Sequence, residues 1–171
     1  FNGELLLDVH GTGCYTSQAA MKLYNRQNEQ IGDAAERSAV MAECAGRSLY
    51  PTHTLTDIWR KVIWHQFHDD LPGTCIPKAY EFSWNDELLS LKRFSSILTS
   101  SVNSVADEMD TRTKGVPVIF YNAHGFNASD IVTMSIPSET VPKGVLVTAP
   151  NGKQVPAQLI SYNKGKATRT K

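Results

Sequence analysis

The chain has 171 residues, with 17 basic and 17 acidic side chains and 41% apolar residues, so it is long enough to bury a core without staples. Balanced charge provides no field for nucleic acid or an anionic membrane surface, and no run of about eighteen apolar residues offers a membrane span. The three cysteines, Cys14, Cys44 and Cys75, form neither a disulfide framework nor a zinc ribbon and read as buried free thiols.

Both ends read as cuts. Residues 1–7 begin inside an extended apolar run, and residues 168–171 stop just after a strand-like segment. The expectation is a piece of a larger protein.

Residues 16–44 contain no proline, and Ala20, Leu23, Tyr24, Ile31, Ala34, Ala35, Ser38 and Met41 recur at the three-and-four spacing of one helical face. Thr16 or Ser17 is expected to cap this helix and Gly46 to end it. Gly32 costs about 1 kcal/mol relative to Ala inside a helix, which points to a kink or a close crossing. After the extended Leu49-Tyr50-Pro51 link, a second helix is predicted from Thr54 or Thr56 to His68. Its stripe is Leu55, Ile58, Trp59, Val62, Ile63, Gln66 and Phe67. Pro72-Gly73 stops it. A third helix is predicted over 85–109, with a near-heptad seam of Leu88, Leu91, Ser95, Leu98, Val102, Val105 and Met109. Three such faces joined by short links predict a three-helix bundle.

The grammar changes near residue 112. Strands are predicted over 116–122, 130–136, 144–148 and 155–161, and Asn151-Gly152 between apolar runs is a hairpin signal. The fold class is therefore α+β: a three-helix bundle followed by an incomplete antiparallel β-domain.

Chemistry concentrates where the second helix ends. His65, His68, Asp69 and Asp70 fall within six positions, beside the Pro72-Gly73 bend. Side chains at the rim of a rigid element are held in place and open to a ligand. His65 is within helical reach of both His68 and Asp69. Imidazole and carboxylate are zinc donors, but a site needs three or four of them. By spacing alone, histidines satisfying backbone at a helix end remain the commoner reading. Elsewhere, His124 reads as a turn residue, His53 as a linker or cap residue, and Trp59 and Trp64 as packing residues. Stacking on sugar is the alternative for Trp64. Asn122 suits a turn, and Asn127-Ala128-Ser129 fits the short glycosylation pattern.

The order of the whole stretch is more specific. Gln66-Phe67-His68-Asp69-Asp70-Leu71-Pro72-Gly73-Thr74-Cys75-Ile76 resembles a signature of the family 38 glycoside hydrolases, the retaining α-mannosidases. Upstream, Gly3-Glu4-Leu5-Leu6-Leu7-Asp8-Val9-His10, Tyr15-Thr16-Ser17-Gln18-Ala19-Ala20-Met21-Lys22 and Asn25-Arg26 resemble another block of that family. Val118-Ile119-Phe120-Tyr121-Asn122 and Val155-Pro156-Ala157-Gln158 resemble the start of its β-sandwich region.

The resemblance implies a catalytic zinc with His68 as one of its protein ligands, and Asp69 as a carboxylate that binds hydroxyls of the substrate mannose. His10 is expected near the same cleft. The implied organisation is the end of a catalytic-domain region in 1–15, a helical bundle carrying the His-Asp segment in 16–112, and the start of a truncated β-sandwich in 113–171. No catalytic residue is expected in this piece: the nucleophile and general acid, with the other zinc ligands, belong to upstream blocks that it lacks. Retaining hydrolysis needs two carboxyl groups about 5 Å apart across the scissile bond, and the adjacent Asp69 and Asp70 point differently. The implied partners are an α-mannoside substrate and the remainder of the same polypeptide, with oligomerisation left open. The piece is expected to be inactive alone. The alternative is a non-catalytic helical/β module that binds a partner or a carbohydrate.

Overall fold

A computed structural model of the chain describes residue 2, residues 13–14, 16–138 and 142–161. Three helices come first: α1 (Ala19–Cys44), α2 (Thr52–His65) and α3 (Pro77–Ala106). They pack together as a bundle in which α1 and α3 share the longest contact. A two-stranded antiparallel sheet follows, formed by β1 (Val147–Thr148) and β2 (Gln154–Val155). Two compact units divide the chain between Ala128 and Ser129.

Helix α1 starts at Ala19 rather than at Thr16. Neither Thr16 nor Ser17 caps it: Thr16 Oγ1 donates back to the Gly13 carbonyl and Ser17 Oγ donates to that of Gly73. Gln18, with φ of 47°, leads the chain into the helix instead. At the other end Gly46 has φ of +69° and its N–H bonds the Glu43 carbonyl, which closes the helix in the left-handed manner that glycine adopts freely. Helix α2 ends at His65, three residues before the expected His68.

Helix α3 begins at Pro77, eight residues before the expected Asn85. Proline suits the first turn because its missing N–H has no helical partner there. The predicted seam is also displaced. Tyr80, Ser83, Glu87, Ser90, Phe94 and Ser101 are buried, whereas Leu88 and Met109 are exposed. The face of α1 opposite uses Met21, Asn25, Asn28, Gly32, Ala35, Ser38, Ala39 and Ala42, while Leu23 is exposed. Both helices thus turn small and polar residues toward one another, and backbones approach more closely than a leucine seam allows.

The apolar core sits where α2 meets this pair. Ala35, Leu55, Ile58, Val62 and Phe94 are buried together, with Ile31, Trp59, Ile97 and Leu98 packed around them. Trp59 stacks obliquely on Phe94 at 5.0 Å, and its Nε1–H donates to Glu36 Oε1 at 2.5 Å. Gly32 lies beneath that indole: a Cβ there would stand 2.5 Å from Trp59 Cζ2, so the glycine marks a close crossing.

Beyond α3 the chain folds back along α1. The phenol of Tyr121 is half-buried near Arg37 and Asp33; burial first, moderated by the Arg37 charge, pushes it above its ordinary range. Asn122 braces a turn by donating to the Phe126 carbonyl and accepting from the His124 N–H, and His124 stacks on Phe126 at 4.9 Å. The residues expected as strands at 116–122 and 130–136 enter no ladder. Among the described residues, only Val147↔Val155 and Thr148↔Gln154 pair, across an Asn151-Gly152 turn in which Gly152 has φ of +79°. A strand is defined by its partner, and these apolar segments find none here: Phe120 and Ile131 are 59% and 92% exposed. No helix among the described residues is long and apolar enough to cross a membrane.

Candidate active-site turn

The segment 66–75 joins α2 to α3 as a knot of short-range hydrogen bonds. Gln66 N and Phe67 N return to Ile63 O and Trp64 O, Asp70 N and Leu71 N to Phe67 O, and Thr74 N and Cys75 N to Asp69 O. Gly73, with φ of +94°, lets the bend close; a Cβ there would lie 2.7 Å from Ser17 Oγ and 2.9 Å from the Ser17 carbonyl. No side chain fits that space, and none adopts that φ freely.

Helices α1 and α3 brace the knot. From α1, Lys22 Nζ donates to the carbonyls of Cys14 (2.8 Å) and Pro72 (2.9 Å), and also to that of Ser17. Burial among these groups pulls the Lys22 pKa below its usual value. From α3, the buried hydroxyl of Tyr80 donates to the carbonyls of Asp69 and Asp70, both at 3.2 Å, and accepts the Cys75 N–H at 3.1 Å. Burial also raises the Tyr80 phenol.

The knot sorts the ionisable residues of this stretch. His68 and Asp69 face outward, their side chains 76% and 53% exposed, with His68 Nε2 3.3 Å from Asp69 Oδ2. Thr74 Oγ1 donates to Asp69 Oδ1 at 3.1 Å, which steadies that carboxylate. His65 and Asp70 face inward: His65 Nδ1 is 2.5 Å from Asp70 Oδ2, and Ser83 Oγ donates to both oxygens of Asp70. His65 Nε2 lies 3.4 Å from Asp86 Oδ2, and Lys61 Nζ holds the other Asp86 oxygen at 2.7 Å. Burial pushes the Asp86 carboxyl up, but the bonds from Lys61 and His65 outweigh it and leave the group below its ordinary range.

The expectation that His65 neighbours His68 and Asp69 is thus corrected: its partners are Asp70 and Asp86. Asp70, Ser83, Tyr80, Lys22 and Ser17 are parts of the site that residue spacing did not reveal, because each acts across helices. His10 lies outside the described residues. The thiols also depart from expectation: all three are free, but Cys44 is exposed and Cys14 and Cys75 are only half-buried. Burial and the charges of Asp70 and Asp69 raise the Cys75 thiol, which disfavours the thiolate needed for nucleophilic attack. Trp64 is 77% exposed and lies with Ile63 and Phe67 on an outward apolar strip, not in the core.

An exposed imidazole and carboxylate thus stand side by side on a braced turn. No three His, Cys, Asp or Glu side chains converge on a metal position among the described residues. Asp69 and Asp70 also fail as an acid–nucleophile pair, since one is outward and the other is buried and fully engaged.

Residues 10–114 match the family model for the alpha mannosidase middle domain, and the chain belongs to that family. It is 38% identical over 84 residues to alpha-mannosidase 2C1 of Mus musculus, an alignment covering 48% of this chain and 8% of that protein. It is 32% identical over 123 residues to an alpha-mannosidase of Saccharomyces cerevisiae (66% and 11%) and 34% identical over 103 residues to alpha-mannosidase G of Dictyostelium discoideum (60% and 9%). The chain therefore aligns with about a tenth of the length of these relatives.

Proposed function

We propose that the chain is the middle segment of a retaining, zinc-dependent α-mannosidase that hydrolyses α-mannosidic bonds in oligosaccharides or glycans. The observation that carries this reading is the outward His68–Asp69 pair on a braced turn within the matched 10–114 region. His68 supplies one imidazole donor, and its exposure fits a ligand whose partner donors come from elsewhere in the polypeptide. When bound, zinc supplies Lewis-acid and template character beside the sugar hydroxyls.

Asp69 orients the substrate. A carboxylate accepts two hydroxyl hydrogen bonds, and the Thr74 contact keeps its direction fixed while leaving lone pairs free for sugar. The nucleophile and general acid belong to other segments of the same polypeptide, because retention needs carboxyl groups about 5 Å apart and this turn provides none. By itself the chain is inactive. Residues 1–15 close the catalytic region, 16–112 form the bundle, and 113–171 open a β-sandwich.

The test is His68→Ala in the intact polypeptide. Expected are loss of most bound zinc and a fall of at least about 100-fold in hydrolysis of a chromogenic α-mannoside. Full zinc occupancy with normal turnover would overturn the assignment. Chelator treatment of the unmutated enzyme should abolish turnover, and added zinc should restore it.

A further inference from the structure

We propose that His65, Asp70 and Ser83 are positioning residues for the His68–Asp69 pair. A buried chain of hydrogen bonds from the end of α2 to α3 fixes the turn on which that pair stands. The inference rests on the mannosidase reading for what the turn does, and on the geometry alone for what holds it.

The chain of bonds is complete. His65 is the last residue of α2, and its side chain is 7% exposed. A carboxylate oxygen accepts, so the ring Nδ1, 2.5 Å from Asp70 Oδ2, carries the hydrogen. Ser83, in the second turn of α3, gives its hydroxyl to the same carboxylate at 2.9 and 3.0 Å. The far side of the imidazole meets Asp86, which Lys61 of α2 holds in place.

Histidine, carboxylate and serine together suggest a nucleophile relay, but the order is wrong. The Ser83 hydroxyl faces the weakly basic Asp70 carboxylate and not the imidazole, so the histidine cannot take its proton as it does in such a relay. The assembly has no chemistry of its own. Its effect is on the backbone at Asp70, one residue from Asp69 and two from His68.

Backbone placement matters most for these two residues because their side chains are mainly in solvent. His68 touches the Phe67 ring at 4.2 Å, and that ring is itself exposed. Packing therefore does little to set the direction of the imidazole, and the turn does most of it. Simple stability is a poor account of the network, since apolar replacements of buried ionic groups are often neutral or stabilising. What a polar network adds is a single defined geometry.

The experiment compares the intact unmutated polypeptide with His65→Leu, Ser83→Ala and His65→Asn, whose amide N–H stands near the position of ring Nδ1–H. Turnover of a chromogenic α-mannoside with added zinc is read beside amide hydrogen exchange of residues 67–75. For His65→Leu, kcat is expected to fall about 10- to 100-fold. Exchange should accelerate at Asp70, Leu71, Gly73, Thr74 and Cys75 while amides within α1 keep their protection. Ser83→Ala should shift both readouts in the same direction by less, and His65→Asn should recover most of the loss. Unchanged kcat, unchanged exchange in 67–75, or acceleration spread evenly through all three helices would each overturn the proposal. Should His65→Leu not fold, the Ser83→Ala and His65→Asn variants decide the same comparison. An inactive unmutated polypeptide would overturn the mannosidase reading instead, and the exchange pattern would then decide the network by itself.

Discussion

Glu87 is 1% exposed, and its side chain lies against Asn28 at the α1–α3 crossing. Asn28 Nδ2 donates to the Glu87 carbonyl at 3.0 Å and to Glu87 Oε2, while Glu87 Oε1 and Asn28 Oδ1 are buried without a partner in the described structure. Burial pushes the Glu87 carboxyl above its ordinary value of 4.5; the Asn28 bond and the His65 charge offset only part of this. Between its ordinary and raised values the folded state binds a proton that the unfolded chain does not. The stability Glu87 contributes is therefore full below about 4.5 and is lost as the pH rises through that window. Glu87→Gln removes the titration and should flatten the decline. Urea unfolding at pH 5 and pH 8 measures this: the unmutated chain is expected to lose more stability than the variant between the two. Parallel pH profiles would show that Glu87 is charged in the fold.

At the scale of elements, the crossing of α1 and α3 explains what the sequence pattern shows and what it hides. The existence of three helices is legible, because apolar residues recur at helical spacing and Pro51, Pro72 and Gly73 punctuate them. The apolar face of α2 is legible for the same reason: Leu55, Ile58 and Val62 are buried. The seam of α3 is not, because Ser83, Glu87 and Ser90 look like solvent residues, and their burial depends on partners such as Asp70 for Ser83 and Asn28 for Glu87 that lie on other segments. The start of α3 is signalled by Pro77 behind an extended Ile76, a signature that hydrophobic periodicity passes over. In the turn, the role proposed for His68 and Asp69 comes from a family resemblance in residue order. The inward His65–Asp70–Ser83 link depends on a contact between helices that no local spacing encodes. Gly32→Ala tests how closely α1 packs against Trp59 of α2 and Phe94 of α3. Helix propensity favours alanine by about 1 kcal/mol, but the added Cβ meets Trp59 at 2.5 and 2.8 Å and Phe94 at 3.1 Å. Overpacking of a filled core costs about 1–3 kcal/mol, so a net loss of stability is expected. Denaturant unfolding followed by helix ellipticity and tryptophan fluorescence reads it. A stabilised variant would mean that the indole moves aside freely.

For the molecule as a whole, apolar surface is distributed differently over the helical bundle and over the residues C-terminal to it. The bundle exposes Ile63, Trp64 and Phe67 on α2 and the turn beyond it, and also Ile76 before α3 and Phe82, Leu88 and Leu89 on it. After residue 115, by contrast, large apolar side chains are exposed throughout: Phe126 at 67%, Ile131 at 92%, Leu146 at 69% and Ile160 at 73%. Exposed apolar surface of this kind commonly meets a partner, and two-residue strands are far below the length at which a sheet stabilises itself. The curated relatives are about ten times longer than their aligned parts. Expressed by itself, the 171-residue chain should bind an apolar reporter dye strongly and associate as its concentration rises. A chain limited to residues 16–112 should lose most of the dye signal while keeping helical ellipticity and a cooperative urea transition. Equal dye binding by the two would place the sticky surface on the bundle. Loss of cooperativity on shortening would show that residues 113–128, including the half-buried Tyr121 beside Arg37 and Asp33, are needed to complete the bundle, and would move its boundary toward Ala128.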